Sequence, residues 1–218
     1  MSGARSGGEA RQAPRPRAAR MRRRGFQLVE VVIVLAVLGA TLAVSVPPLL
    51  RWSSALRLRL AAAELVATLR STRMAAVTLG VKVGVKFRTR ESGRVTFTLH
   101  RDGDGDGVLS RDIADGSDPQ IGPERQLVHV GAHVRLGFPP GVVPRDPGDP
   151  GRYLDRLDDP IRFNQSDIAS FNPLGRGTPG SLYVTDGLLG LAAVRVAAAS
   201  GRVRILLYDV QQETWRPG

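Results

Sequence analysis

Three groups of residues in this chain have types and spacings that do chemistry. In "RDGDGDGVLSRDI" (101–113), Asp102, Asp104 and Asp106 alternate with glycines and run into Gly107. That is the opening of an EF-hand-type loop, in which carboxylate oxygens suit a hard cation and glycine makes the sharp turn. Such a loop wants a bidentate acid at its twelfth position. Here that position is Ile113, and Asp112 comes one residue early. Two readings stay open: a non-standard Ca2+ site on Asp102, Asp104, Asp106 and Asp112, or a solvated, flexible hairpin extension whose Asp-Gly units are turns. The second group is Gly201-Arg202-Val203-Arg204. Arg202 and Arg204 share one face of a strand and Val203 the other, which by residue type alone leaves the arginines solvated. The third is Glu30, the one carboxylate in the apolar run Phe26–Leu50. A charge at bilayer depth costs about 2.5–3.5 kcal/mol even on lenient scales.

Other chemistries are excluded or lack their parts. With no cysteine there are no disulfides, thiolate nucleophiles or cysteine metal sites. His100, His129 and His133 are the only histidines, and no nucleophile elbow or phosphate loop accompanies them. A non-catalytic protein with no required cofactor is expected.

The net charge of +11 is concentrated at one end. Eight arginines against Glu9 give residues 1–25 a charge of +7, leaving +4 for the rest. Basic residues beside an apolar run are a topology signal first and a nucleic-acid signal second.

These charges stand on a simple order of elements. Residues 1–25 have almost no large apolar side chains and are expected to be a disordered basic leader. Residues 26–50 are long enough for a membrane-spanning helix segment, with Pro47 and Pro48 expected to kink or break it near its far end. Residues 51–80 read as an amphipathic helix with Trp52, Leu56, Leu60, Ala63 and Ala67 as its apolar stripe and Gly80 as its stop. From Val81 the period changes to two. "VKVGVKFRT" and "RVTFTLHR", joined by Glu91-Ser92-Gly93, predict a hairpin. Further strands are expected in 126–138, 161–163, 181–185, 192–198 and 202–209, with 139–160 an exposed loop rich in proline and glycine. The fold class is therefore α+β: one long helix on an antiparallel sheet, with 81–218 as the β-rich domain.

Three readings compete for residues 1–50. A secretory signal peptide would be cut near Ala43-Val44-Ser45, but the run is long for one and contains Glu30. A plain signal anchor fits length and charge but leaves Glu30 without a role. The third comes from Gly25, Phe26 and Glu30: a basic leader ending in glycine, then phenylalanine, then glutamate at the fifth position of the cut chain. This resembles a type IV prepilin leader. The resemblance implies that a prepilin peptidase cuts Gly25–Phe26 and N-methylates Phe26. Pro47 also falls where pilin-like helices commonly carry proline.

The resemblance extends to "LVATLRSTRMAAVTLGVKVGV" and to "FNPLGRGTPGSLYVTDGLLGLAAVRVAAASGRVRI" (171–205), which are similar to the GspH/FimT family of minor pseudopilins and pilins. It covers both ends of the chain and little of 100–165. It implies a pilin-like fold and a subunit that meets other pilins through N-terminal helices. It also implies a single-pass place in the inner membrane, with the C-terminal domain in the periplasm or outside the cell. GspH-type members serve type II secretion. Some FimT-type members bind DNA, which would make Arg202 and Arg204 contact residues. G-R-x-R also occurs in members with no DNA role, where the arginines are only solvated.

Overall fold

The computed structural model describes residues 28–131, 133–164 and 166–218, with the side chains of 44–51 left aside. The expected leader, with Gly25 and Phe26, lies outside the described residues. The chain divides into two units, 1–45 and 46–218.

The first unit contributes the start of α1 (Leu28–Leu79), exposed at every position from Leu28 to Ala43. Helical assignment continues through Pro47 and Pro48, so the expected break does not occur. No helix among the described residues is long and apolar enough to cross a membrane. The span expected over 26–50 reaches beyond that description at both ends.

In the second unit, α1 buries Leu58, Ala61, Ala62, Leu65, Val66, Leu69 and Ala76. The expected stripe is therefore the wrong one, for Trp52, Leu56, Leu60, Ala63 and Ala67 are all exposed. Both stripes keep the helical period, so periodicity alone does not choose between them. The buried one places adjacent alanines against the sheets and so lets the helix axis approach closely. Thr68 and Thr72 on that face satisfy their hydroxyls on the carbonyls of Glu64 (3.0 Å) and Thr68 (2.9 Å). Gly80 ends the helix with φ 70°, its N–H on the Ala76 carbonyl at 3.1 Å.

The first sheet is built on the expected hairpin. β1 (Val83–Thr89) pairs antiparallel with β2 (Val95–Arg101), Phe87 opposite Phe97. β3 (Arg125–Gln126) extends it beyond β2, and β8 (Ile168–Phe171) beyond β1. The second sheet runs β12 (Thr214–Pro217), β11 (Val203–Asp209), β10 (Leu191–Val196), β9 (Gly180–Thr185), β4 (Arg135–Leu136), with β7 (Ile161–Phe163) also on β9. Strands from both sheets share one core with α1, including Val83, Val85, Phe97, Phe163, Leu182 and Val194. The α+β class with antiparallel pairing is as expected.

Two stretches differ from expectation. Residues 126–138 are not a strand, because only β3 and β4 at the two ends are extended. Between them Leu127, Val130 and Val134 are buried at spacings of three and four, which an alternating strand cannot satisfy. Glu64 of α1 holds this coil by accepting from the N–H groups of Val128 (2.6 Å) and His129 (2.8 Å). Residues 139–160 are not simply a loop. β5 (Arg145–Asp146) and β6 (Asp149–Tyr153) form a hairpin over a second core of Phe138, Leu154, Tyr183, Leu191, Ala193 and Tyr208. Trp215 of β12 packs against that core and donates from Nε1 to the Arg145 carbonyl at 2.6 Å. Glu213 accepts from Tyr153 Oη at 2.7 Å and from Arg145 Nη2 at 3.0 Å.

Candidate functional site

The acidic segment is a folded layer on the outer face of the first sheet. Gly84 of β1 leaves room there for Ile168 and Val108, and a side chain at 84 would meet both. A short helix, α2 (Ser110–Asp115), follows the Asp-Gly run. Asp118, 1% exposed, closes the segment: its two carboxylate oxygens accept from the N–H of Gly103 (3.1 Å) and Leu109 (2.9 Å). The expectation of a flexible extension fails for this reason.

Three of the four acids expected at a cation site come together. One carboxylate oxygen each from Asp102, Asp104 and Asp106 lies within 4.8 Å of the others. Asp112 is not in that group. It stands on α2, buried, with Oδ1 2.9 Å from Arg111 Nε and Oδ2 without a hydrogen-bond partner. Arg111 also reaches Asp106 at 2.7 Å, and Lys82 lies 3.4 Å from Asp102. Crowding is visible in the carboxyls themselves. That of Asp106 is pushed up by loss of water and by Asp104 beside it, while the Asp106 N–H holds Asp104 down. A divalent cation with oxygen ligands would relieve this repulsion. Lys82 is far from the Asp-Gly run in sequence, and Arg111, although inside the quoted stretch, reaches back to Asp106 only because α2 folds as it does.

Arg202 and Arg204 are exposed at the start of β11, where Val203 between them is buried. β12 pairs only with Leu206–Asp209, so this end of the strand lies at the open edge of the sheet. Two adjoining hollows of about 640 and 630 Å³ open there, sharing Arg70, Arg202 and Val203. Arg204 lines the first and Arg73 the second. Arg70 and Arg73 follow from the helical period once the buried face of α1 is known, and not before.

Glu30 sits in the first turn of α1 and is exposed. Its expected partner, the amine of Phe26, is outside the described residues. The three histidines are apart in role: His100 is buried, while His129 and His133 are exposed.

No protein-family model matches this chain, and no curated protein matches it. One solved structure is similar, the minor pseudopilin EpsH from the Type 2 Secretion System of Vibrio cholerae. It is 16% identical, with 68% of this chain and 94% of that chain covered, at a TM-score of 0.37.

Proposed function

We propose that this chain is a minor pilin-like subunit of the GspH/FimT kind that supports protein secretion as part of a type II pseudopilus. A prepilin peptidase cuts Gly25–Phe26 and methylates Phe26. Residues 26–50 hold the subunit in the inner membrane, with its β-rich domain on the far side from the cytoplasm, and the N-terminal helices of neighbouring subunits pack together. The observation that carries this reading is α1 itself. It is one helix from Leu28 to Leu79, apolar and exposed over its early part yet packed from Leu58 to Ala76 into a folded β-domain. Glu30 has a role only in such an assembly. Cleavage creates a cation at Phe26, and a pair with it in low dielectric avoids leaving an uncompensated buried charge.

Mass analysis of the mature N-terminus tests the processing, with a methylated chain beginning at Phe26 as the expected result. A cut near Ser45, or an uncut chain, overturns it. Glu30→Ala is expected to be cleaved normally but to enter filaments poorly. Normal incorporation would remove the pairing.

A second reading, a DNA-binding pilin subunit for natural transformation, is favoured by one observation: Arg70, Arg73, Arg202 and Arg204 converge on the adjoining hollows. Phosphate contacts release counterions, so duplex binding should weaken steeply as salt rises. Undetectable or salt-insensitive binding by the protein removes this reading. To either role we add Ca2+ at Asp102, Asp104 and Asp106, supported by the convergence of their oxygens.

A further inference from the structure

We infer that the second unit carries a membrane-docking surface, in which Leu188 and Leu189 at the β9–β10 turn, with Trp52, Leu56 and Arg59 of α1, rest on an anionic bilayer. The inference rests on residues 26–50 being embedded in the membrane and assigns the folded domain a contact of its own with the lipid surface.

The turn is built to present two leucines to the outside. Leu188 and Leu189 are 67% and 65% exposed. Asp186 Oδ1 accepts from the N–H of Leu188 and of Gly190, both at 2.9 Å. Thr185 Oγ1 accepts from the Gly187 N–H at 3.0 Å and donates to the Gly190 carbonyl at 2.8 Å. Adjacent leucines on a braced turn form an exposed apolar feature of the kind that marks an interaction site. The acid that shapes the turn keeps its charge, and the Arg135 guanidinium near Gly187 stands beside it as a cation for the same surface.

The surroundings identify the partner's chemistry. Arg59 and Leu189 line one hollow, which puts the turn beside α1. Trp52, Leu56 and Arg59 follow at intervals of four and three, on one helical face, and Trp52 is 66% exposed. On the other side of the turn, the Arg135 guanidinium lies against Gly187. Arg57, Arg59 and Arg135 have no carboxylate partner among the described residues. Arg216, which also borders the hollow, is neutralised by Asp209 at 2.9 Å. Exposed leucines and a tryptophan flanked by Arg59 and Arg135 match the acyl boundary and anionic headgroups of a bilayer. Two copies meeting through this face would instead bring their arginines together. In the chain, only Arg51 separates the apolar run 26–50 from Trp52.

The test uses the full chain, whose lack of cysteine permits single nitroxide labels at Leu35→Cys, Leu188→Cys and Leu174→Cys. Leu174 is a control, 80% exposed in the turn held by Arg73. Arg73 stands roughly 21 Å further along α1 than Arg59 at 1.5 Å per residue. Each variant is reconstituted in phosphatidylcholine vesicles with and without phosphatidylglycerol, and collision with oxygen is compared with collision with a water-soluble nickel chelate. Position 35 should be lipid-like in both membranes and position 174 water-like in both. Position 188 should be lipid-like only with phosphatidylglycerol, and that state should be lost in Arg59→Glu/Arg135→Glu. A water-like 188 beside a lipid-like 35 overturns the docking surface and leaves the anchor standing. A water-like 35 overturns the anchor and the inference with it. A label at 188 shielded from both reagents, and broadened as protein density rises, assigns the face to a second copy and overturns the lipid assignment.

Discussion

Gly201 packs against the carbonyl of Gly175 so closely that a methyl group at 201 would collide with that oxygen. Arg73 Nε donates to the same carbonyl at 2.9 Å. The turn after Phe171 and the turn before Arg202 are therefore joined at one point and tied to α1. Gly201 also has φ 59°, which disfavours any side chain.

Gly201→Ala should thus destabilise the domain by on the order of 3 kcal/mol, from a clash added to a left-handed backbone. Ser200→Ala, one residue away and exposed, should stay within roughly 0.5 kcal/mol. Chemical denaturation measures both, and equal effects would contradict the packing.

Asp118 should be the acid that matters most for folding, ahead of Asp102, Asp104 and Asp106. Asp118→Asn replaces one acceptor with an amide donor facing a backbone N–H. A loss of about 2–3 kcal/mol follows from an unsatisfied buried group, with faster hydrogen exchange at Gly103 and Leu109. Unchanged exchange at those two amides would contradict the bonding.

Stability should depend on pH through His100. Its Nδ1 lies 3.1 Å from the Asp118 carbonyl, which only accepts, so Nδ1 carries the proton. Nε2 then accepts from the Thr98 hydroxyl at 3.0 Å. Burial is the main cause pushing this imidazole below its ordinary 6.5. The folded state favours the neutral ring, while the unfolded chain takes up a proton near that ordinary value. The contribution is complete above about pH 6.5 and is lost as pH falls through the lowered folded value. The fall in unfolding free energy from about pH 7 to about pH 5 should be smaller in His100→Gln. An identical slope would assign the dependence to other groups.

Calcium at ten times its dissociation constant adds about 1.4 kcal/mol to a folded state that alone binds it. That corresponds to a rise in Tm of a few degrees for a domain of this size. The rise should vanish in Asp104→Ala and in Asp106→Ala, neither of which closes the loop as Asp118 does. A Tm unmoved by millimolar calcium rules out the site.

What could be read from the residues alone was what local patterns determine. Val83, Val85 and Phe87 alternate against Val95, Phe97 and Leu99, and glycine at 93 completes the turn, so the first hairpin was legible. Gly80 as a helix stop was legible for the same reason. The choice between two apolar stripes on α1 was not, because the sheets select the buried one and most of their strands lie far away in sequence. The coil at Val128 and His129 depends on Glu64, and its register has no local signature. At the candidate sites, spacing pointed to Asp102, Asp104 and Asp106, and the family resemblance to Arg202 and Arg204. Lys82, Arg111, Arg70 and Arg73 come from other elements and needed the fold.

The clasp between the β5–β6 hairpin and β12 ties the second core to the last strand of the chain. Arg145 and Tyr153 find their partners Glu213 and Trp215 between 60 and 70 positions later in the chain. Without that segment the hairpin lacks these partners, and Tyr183 and Tyr208 lack the cover of Trp215. Every residue of the α1-centred core precedes β12 in the chain, so that core does not depend on this strand. The second core alone draws on β12, so loss of that strand should loosen it and leave the α1-centred core packed.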